Sequence, residues 1–194
     1  MSIQDKINTA IWIGKALFDR GKVTGSSANM SFLHDGIVYI TGSGTCFGQL
    51  SEEAFSGMTM EGEHISGIKP SKEFPLHQML YRKDREIEAV LHTHSTYATA
   101  WACIPHSDPR DAMPSPTPYL NMRVGRVRMV PYAKPGSQEL FQLFRENLCD
   151  ARCYLLENHG PIAGNSSLMQ AFYDIEELEE TARISFMLEM LNRR

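Results

Sequence analysis

The segment EIEAVLHTHSTYATA, residues 86–100, limits what this chain can fold into. An apolar run with β-branched character ends in two histidines two positions apart, and a small-residue helical stretch follows. On a strand, side chains alternate between faces, so His92 and His94 point the same way and lie about 7 Å apart along the chain. On a helix of 3.6 residues per turn they would diverge by about 200°. A buried strand that closes on two imidazoles needs a polar or ionic partner at its end. The fold must therefore bring a second segment to that point.

Two other segments can supply it. ENHGPIAG, residues 157–164, places His159 after the apolar strand CYLLE, at a turn stiffened by Gly160 and Pro161. KPSKEFPLHQMLYRKD, residues 69–84, reads as a helix opened by Ser71 as N-cap, with Phe74, His77, Leu80 and Tyr81 at helical spacing and Pro75 tolerated near the start. Glu73 then falls in the first turn, where the helix dipole favours an acid. Three neutral imidazoles and one carboxylate suit zinc, and manganese, iron or cobalt also accept nitrogen and oxygen donors. The other histidines, His34, His64, His77 and His106, fall in turns, loops or mid-helix and receive no role.

The remaining segments predict one layered domain over residues 1–194. An amphipathic helix runs from the N-terminus through Ile7, Ala10, Ile11, Ile13, Leu17 and Phe18 and stops at Gly21. A hairpin turns at His34-Asp35-Gly36, and a second follows around Glu61-Gly62. Residues 108–120 read as proline-rich loop, 121–132 contain a short strand, 137–148 a helix, and 167–192 a long final helix. Helices and strands mix without a strict strand–helix–strand beat. The fold class is therefore α/β, or α+β layered, with a mostly antiparallel sheet flanked by helices.

Composition removes some functions. A net charge of −4 disfavours nucleic acid as a partner. No apolar run reaches membrane-spanning length, and the charged, amphipathic N-terminus is no signal peptide. The four cysteines, Cys46, Cys103, Cys149 and Cys153, form no CxxC pair and read as free thiols of a cytoplasmic protein, with Cys149 and Cys153 as packing residues. The absence of HExxH disfavours a zinc protease.

Seven motifs in order, GSSANMS, TGSGTCFGQL, KPSKEFPLH, VLHTHSTYATA, TPYLNMRVG, VPYAKPGSQEL and ENHGPIAG, resemble the class II aldolase/adducin family from about Gly21 to Leu188. Within it, PSKE, HSTYATA and EELEETA are most similar to the 3-oxo-tetronate 4-phosphate decarboxylases. The resemblance implies a divalent metal, usually zinc, held by His92, His94, His159 and Glu73. It implies that Glu73 leaves the metal when substrate binds and serves as acid/base. Ser27, Asn29, Ser43, Gly44, Ser71 and Lys72 occupy the positions that hold a substrate phosphate. Tyr119 matches a tyrosine that reaches a neighbouring subunit's site, in a homotetramer with sites at subunit boundaries. Arg123, Arg126 and Arg128 read as an interface or a solvated face.

The reaction implied is decarboxylation of a 3-oxo-tetronate 4-phosphate to dihydroxyacetone phosphate through a metal-stabilised enediolate. The alternative is a sugar-phosphate aldolase of the fuculose phosphate type, and a remoter one is a non-catalytic adducin-like scaffold. The aldolases carry a longer tail and a serine at the Lys72 position, the related epimerases carry aspartate at the Glu73 position, and the scaffolds drop metal ligands.

Overall fold

The computed structural model describes residues 1–192. Eight strands form one sheet in the order β4-β3-β2-β1-β5-β8-β7-β6. They are β1 (Asn29–His34), β2 (Ile37–Thr41), β3 (Phe55–Met58), β4 (His64–Gly67), β5 (Ala89–His92), β6 (Val127–Val130), β7 (Cys153–Leu156) and β8 (Gly160–Asn165). All neighbours are antiparallel except β6 and β7, as the expectation of a mostly antiparallel sheet required. The β1–β2 turn has Asp35 and Gly36 both at positive φ, 48° and 78°, the pair of values a two-residue hairpin with the native twist demands.

Six α-helices cover the sheet: α1 (Ile3–Asp19), α2 (Phe74–Lys83), α3 (Thr96–Ala102), α4 (Tyr119–Arg123), α5 (Gln138–Glu146) and α6 (Leu168–Asn192). On one face, Ala10, Ile13 and Leu17 of α1, Ala98 and Ala102 of α3, and Phe172, Ile175 and Leu178 of α6 pack on Met30, Phe32, Leu91, Leu155 and Ala163. On the other, Leu76 and Leu80 of α2 and Leu140 and Phe144 of α5 pack on Val38, Ile40, Val90, Tyr154 and Ile162. Helix–sheet–helix layering leaves the central strands β1, β5 and β8 buried on both faces. A polar group there must find its partners inside the protein.

Three local expectations are corrected. Helix α2 starts at Phe74, not Ser71, and its N-cap is Glu73, whose side chain makes no capping hydrogen bond. Ser71, Lys72 and Glu73 form a preceding turn in which Ser71 Oγ accepts the Glu73 N–H at 3.3 Å. The serine thus satisfies the chain before the helix, and the Glu73 carboxylate is drawn elsewhere. Residues 119–123, the end of the expected proline-rich loop and the start of the segment expected to hold a short strand, form α4. Cys149 is exposed and does not pack, whereas Cys153 is buried. Among the described residues no helix is long and apolar enough to cross a membrane.

One buried acid ties the last helix to the centre of the sheet. Glu179 of α6, 2% exposed, accepts hydrogen bonds from the Tyr97 and Ala98 amides at 3.2 and 2.8 Å. Those are orphan donors at the start of α3, the helix directly after His94 and Ser95. Lys22 Nζ lies 3.8 Å from the same carboxylate. Glu179→Ala removes charge-assisted bonds and leaves the buried Ala98 amide and the half-buried Tyr97 amide unpaired, at an expected cost of about 2–4 kcal/mol. Urea unfolding measures it, and a loss below about 1 kcal/mol would mean that α3 is anchored by packing alone.

Candidate metal centre

Register brings the site together. Asn29 of β1 pairs across the ladder with His92 of β5, and His92 pairs with Ile162 of β8, so Asn29 and His92 project from the same face at adjoining strand ends. The ladder of β5 ends at His92. Thr93 continues it by one hydrogen bond, its N–H to Pro161 O at 3.1 Å, and carries the chain to His94. His159 sits in the β7–β8 turn, where Asn158 takes φ 54°. Gly160 follows at φ 152°, and a Cβ there would lie 2.4 Å from the Thr93 carbonyl oxygen. Only glycine allows the turn carrying His159 to lie against the backbone between the other two histidines.

The three imidazoles converge edge to face. His92 Nε2 lies 3.2 Å from His159 Nε2 and 3.2 Å from His94 Nε2. Glu73 completes the group, with Oε2 3.4 Å from His92 Nε2 and Oε1 3.5 Å from His159 Nε2. His92 Nδ1 donates to the Pro161 carbonyl at 2.9 Å, which leaves the Nε2 lone pair facing inward. A carbonyl partner on the far nitrogen is the arrangement metal-bound histidines use to fix their tautomer.

Burial sets the protonation state. It pushes His92 down to about 3, with the adjacent His94 adding to the effect. His159 is also lowered to about 3, chiefly by burial and by His92. His94 is lowered by burial, with Glu73 opposing. The contacts with Glu73 are therefore not ion pairs at neutral pH. Three neutral nitrogen donors and a carboxylate crowd around one point.

This donor set fits a divalent cation. A tetrahedral ion with bonds of about 2.0–2.1 Å to its ligands separates them by about 3.3–3.4 Å; His92 Nε2 stands 3.2 Å from His94 and His159 and 3.4 Å from Glu73, and the three imidazole nitrogens all lie within 4.8 Å of one another. The nitrogen and oxygen mixture suits zinc and is compatible with manganese, iron or cobalt.

A cavity of about 180 Å³ opens beside this group. His94, His159 and Glu73 line one side. Every residue expected to hold phosphate, Ser27, Asn29, Ser43, Gly44, Ser71 and Lys72, lines the same cavity. Their hydrogen bonds sort them. The Ser43 amide donates to Lys69 O at 2.8 Å, the Ser71 amide donates to Thr41 O at 3.3 Å, and the Ser27 hydroxyl donates to Thr24 O at 2.7 Å. Among the described residues the amides of Gly44 and Lys72 have no partner, and the Lys72 ammonium makes no ion pair. Asn29 spends its side chain on the protein, donating from Nδ2 to Glu73 Oε2 at 3.0 Å.

Lys72 has a built seat. Gly136, in the segment AKPGS, has φ 74°, and a Cβ there would lie 2.7 Å from Lys72 Cδ. The glycine lets the lysine stem lie flat against the turn. Tyr119 is not brought to the cavity of this chain. It starts α4 and is 63% exposed.

Sequence reasoning missed His77. It is wholly buried, and its Nε2 lies 2.6 Å from Asn29 Oδ1. The available signal was the run Glu73, His77 and Tyr81, polar groups four residues apart along one stripe of α2.

Known proteins resemble this chain over most of its length. The family model described as Class II Aldolase and Adducin N-terminal domain matches residues 8–186. The chain is 44% identical over 177 residues to the 3-oxo-tetronate 4-phosphate decarboxylase of Pectobacterium atrosepticum, covering 91% of this chain and 81% of that one. It is 30% identical over 185 residues to the L-fuculose phosphate aldolase of Methanococcus maripaludis, covering 95% and 98%. Among solved structures, YgbL of Klebsiella pneumoniae superposes with a TM-score of 0.93 at 42% identity, covering 97% of this chain and 91% of that chain.

The low imidazole values have a consequence with a definite sign. For His92 and His159 the folded protein refuses protons that the unfolded chain accepts from about pH 6.5 downward. Their contribution to stability is complete above about pH 6.5 and is lost as the pH falls towards about 3. Chelator-treated protein should lose at least about 1.4 kcal/mol per pH unit between pH 6 and 5. Urea midpoints at the two pH values measure this, and a flat response would mean that the imidazoles are hydrated in the metal-free state.

Proposed function

The chain belongs to the class II aldolase and adducin family, and from that premise we propose that it decarboxylates a 3-oxo-tetronate 4-phosphate to dihydroxyacetone phosphate and carbon dioxide. One observation carries the reading. A single small cavity has a convergent imidazole–carboxylate group on one side and an unpaired lysine with free backbone amides on the other. A short substrate with an oxygenated carbon at one end and a phosphate at the other matches that polarity. The naming of relatives such as the Pectobacterium atrosepticum enzyme supports the same substrate.

We assign His92, His94, His159 and Glu73 as the residues that hold a divalent cation, zinc in our reading. When bound, the cation supplies a Lewis acid that makes the C3 carbonyl an electron sink. The rest is the work of the protein. Lys72, Gly44 and the Ser43 and Ser71 hydroxyls grip the phosphate, which fixes the reacting carbons by binding energy remote from them. The bond from C2 to the carboxylate breaks, carbon dioxide leaves, and its electron pair passes into the C2–C3 unit. Glu73, directly or through a water it orients, delivers a proton to C2 and completes dihydroxyacetone phosphate. Buried walls around His92 exclude bulk water from the reacting end.

We further propose a cytoplasmic homotetramer built from this single domain, with sites at subunit boundaries. Free cysteines support the compartment. Exposed Phe186, Met187, Met190 and Leu191 at the end of α6, and Met122 on α4, support association. Tyr119 then serves a neighbouring subunit's site.

Product analysis tests the reaction. Zinc-loaded protein should release one carbon dioxide and one dihydroxyacetone phosphate per 3-oxo-tetronate 4-phosphate, with one solvent deuterium on the hydroxymethyl carbon of the product, the former C2 of the substrate, when the reaction runs in heavy water. Release of an aldehyde from a ketose 1-phosphate, without decarboxylation, would make it an aldolase like its more distant relatives. The phosphate grip has its own test. Lys72→Ala should raise KM about 10-fold or more through the loss of a charge-assisted contact. An unchanged KM would place the phosphate elsewhere.

A further inference from the structure

Behind Glu73 runs a buried line of side chains that nothing in the reaction above uses. Asn29 and Ser31 alternate along one face of β1. Glu73, His77 and Tyr81 stand four residues apart at the start and along one stripe of α2. The two rows interlock through four hydrogen bonds. Asn29 Nδ2 reaches Glu73 Oε2 at 3.0 Å, and Asn29 Oδ1 meets His77 Nε2 at 2.6 Å. His77 Nδ1 meets Ser31 Oγ at 2.7 Å, and Ser31 Oγ meets Tyr81 hydroxyl at 2.7 Å. His77 and Ser31 are wholly buried, and Tyr81 is 4% exposed.

The chemistry of the groups dictates a direction. An amide oxygen only accepts, so His77 Nε2 carries the hydrogen it shares with Asn29. A neutral imidazole has one such hydrogen, and burial keeps His77 neutral, pushing it down to about 3. Its Nδ1 is then a lone pair, and Ser31 must donate to it. Having spent its one hydrogen, Ser31 accepts from Tyr81, whose phenol burial holds well above its ordinary value and so protonated. Turning the Asn29 amide over would set its oxygen against the Glu73 carboxylate and its NH₂ against the His77 N–H. Both contacts are repulsive, so each link fixes the next.

We propose that the one-way line Tyr81–Ser31–His77–Asn29 makes His77 a positioning residue for Glu73. It occupies Oε2 and leaves Oε1 as the carboxylate oxygen free for the cation and for proton delivery. Among the described residues Oε1 accepts no hydrogen bond; its near neighbour is His159 Nε2 at 3.5 Å. The line also resists rotation of the carboxylate, because turning it breaks a bond whose partner has no alternative inside the protein. This rests on Glu73 acting as ligand and proton carrier, and it adds what holds that residue.

The test begins with the wild-type protein. Nitrogen-15 correlation spectra of the imidazoles at pH 7 should show His77 as the Nε2–H tautomer. Zinc titration of metal-free protein and steady-state kinetics then compare variants. In His77→Phe, similar in size but without ring nitrogens, zinc affinity and kcat should each fall about 10- to 100-fold, with KM within about 3-fold. His77→Gln, whose amide nitrogen can reach Asn29, should recover to within about 5-fold of wild type. An Nδ1–H tautomer would overturn the proposal. So would a folded His77→Phe protein whose zinc affinity and kcat stay within about 2-fold of wild type. If His77→Phe does not fold, the tautomer decides alone. Wild-type protein that binds zinc but decarboxylates nothing would remove the proposed reaction, and the tautomer and zinc measurements would still judge the positioning.

Discussion

The structure depends on keeping three neutral imidazoles pressed together at the centre of a sheet. Taken alone, that arrangement is unfavourable. Each ring loses water, and inward-facing lone pairs repel unless a proton or a cation lies between them. The fold offsets the cost by rigidity: β5 lies between β1 and β8, both neighbours antiparallel, and the Pro161 carbonyl takes the far nitrogen of His92. The Glu179 carboxylate holds the start of α3 just past His94. A loop-borne cluster could relax apart. This one is fixed at its strand ends.

Helix α2 stands in a different relation to the site. Its apolar stripe, with Leu76 and Leu80, packs on the sheet as any amphipathic helix does. Its polar stripe is buried as well, because β1 offers Asn29 and Ser31 at the matching positions. The same contact surface thus mixes dispersion packing with a satisfied hydrogen-bond line. Such lines add little net stability, but an error anywhere in them leaves a buried group unpaired. That asymmetry selects one rotation and one register of α2 against the sheet, and with them one position of the Glu73 carboxylate.

Much of this was legible in the sequence, for reasons that differ by residue. His92 and His94 announce themselves because strand periodicity makes a two-residue spacing geometrically specific. His159 is legible because Gly-Pro after an apolar strand fixes a turn. Glu73 was found as an acid near a helix start, yet its place was misread. A serine three residues before an apolar-periodic segment looks like an N-cap, and its hydroxyl does accept the Glu73 N–H, but the helix itself begins only at Phe74. Helix α4 was hidden by three prolines in the five residues 114–118, which read as loop although Pro118 can precede a helix. His77 was hidden more deeply. A histidine in mid-helix reads as surface, and only its spacing from Glu73 and Tyr81, set beside the Asn29–Ser31 alternation, marks the buried stripe.

The two ends of the cavity are built on opposite physical principles, and that division suits both decarboxylation and aldol cleavage. The imidazole end is largely buried and its rings are held at strand ends, so charge developing on substrate oxygen meets groups that need not reorganise. At the other end Lys72 is exposed, and its ammonium is unspent. There the fold fixes only direction, by laying the lysine stem along the Gly136 turn and leaving the Gly44 and Lys72 amides free. In the proposed reaction a phosphate enters from solvent and is gripped late, while the carbons it carries arrive at groups already in place. What separates one reaction of this family from another must then lie between the two ends, in which bond the cavity holds in line with the electron sink.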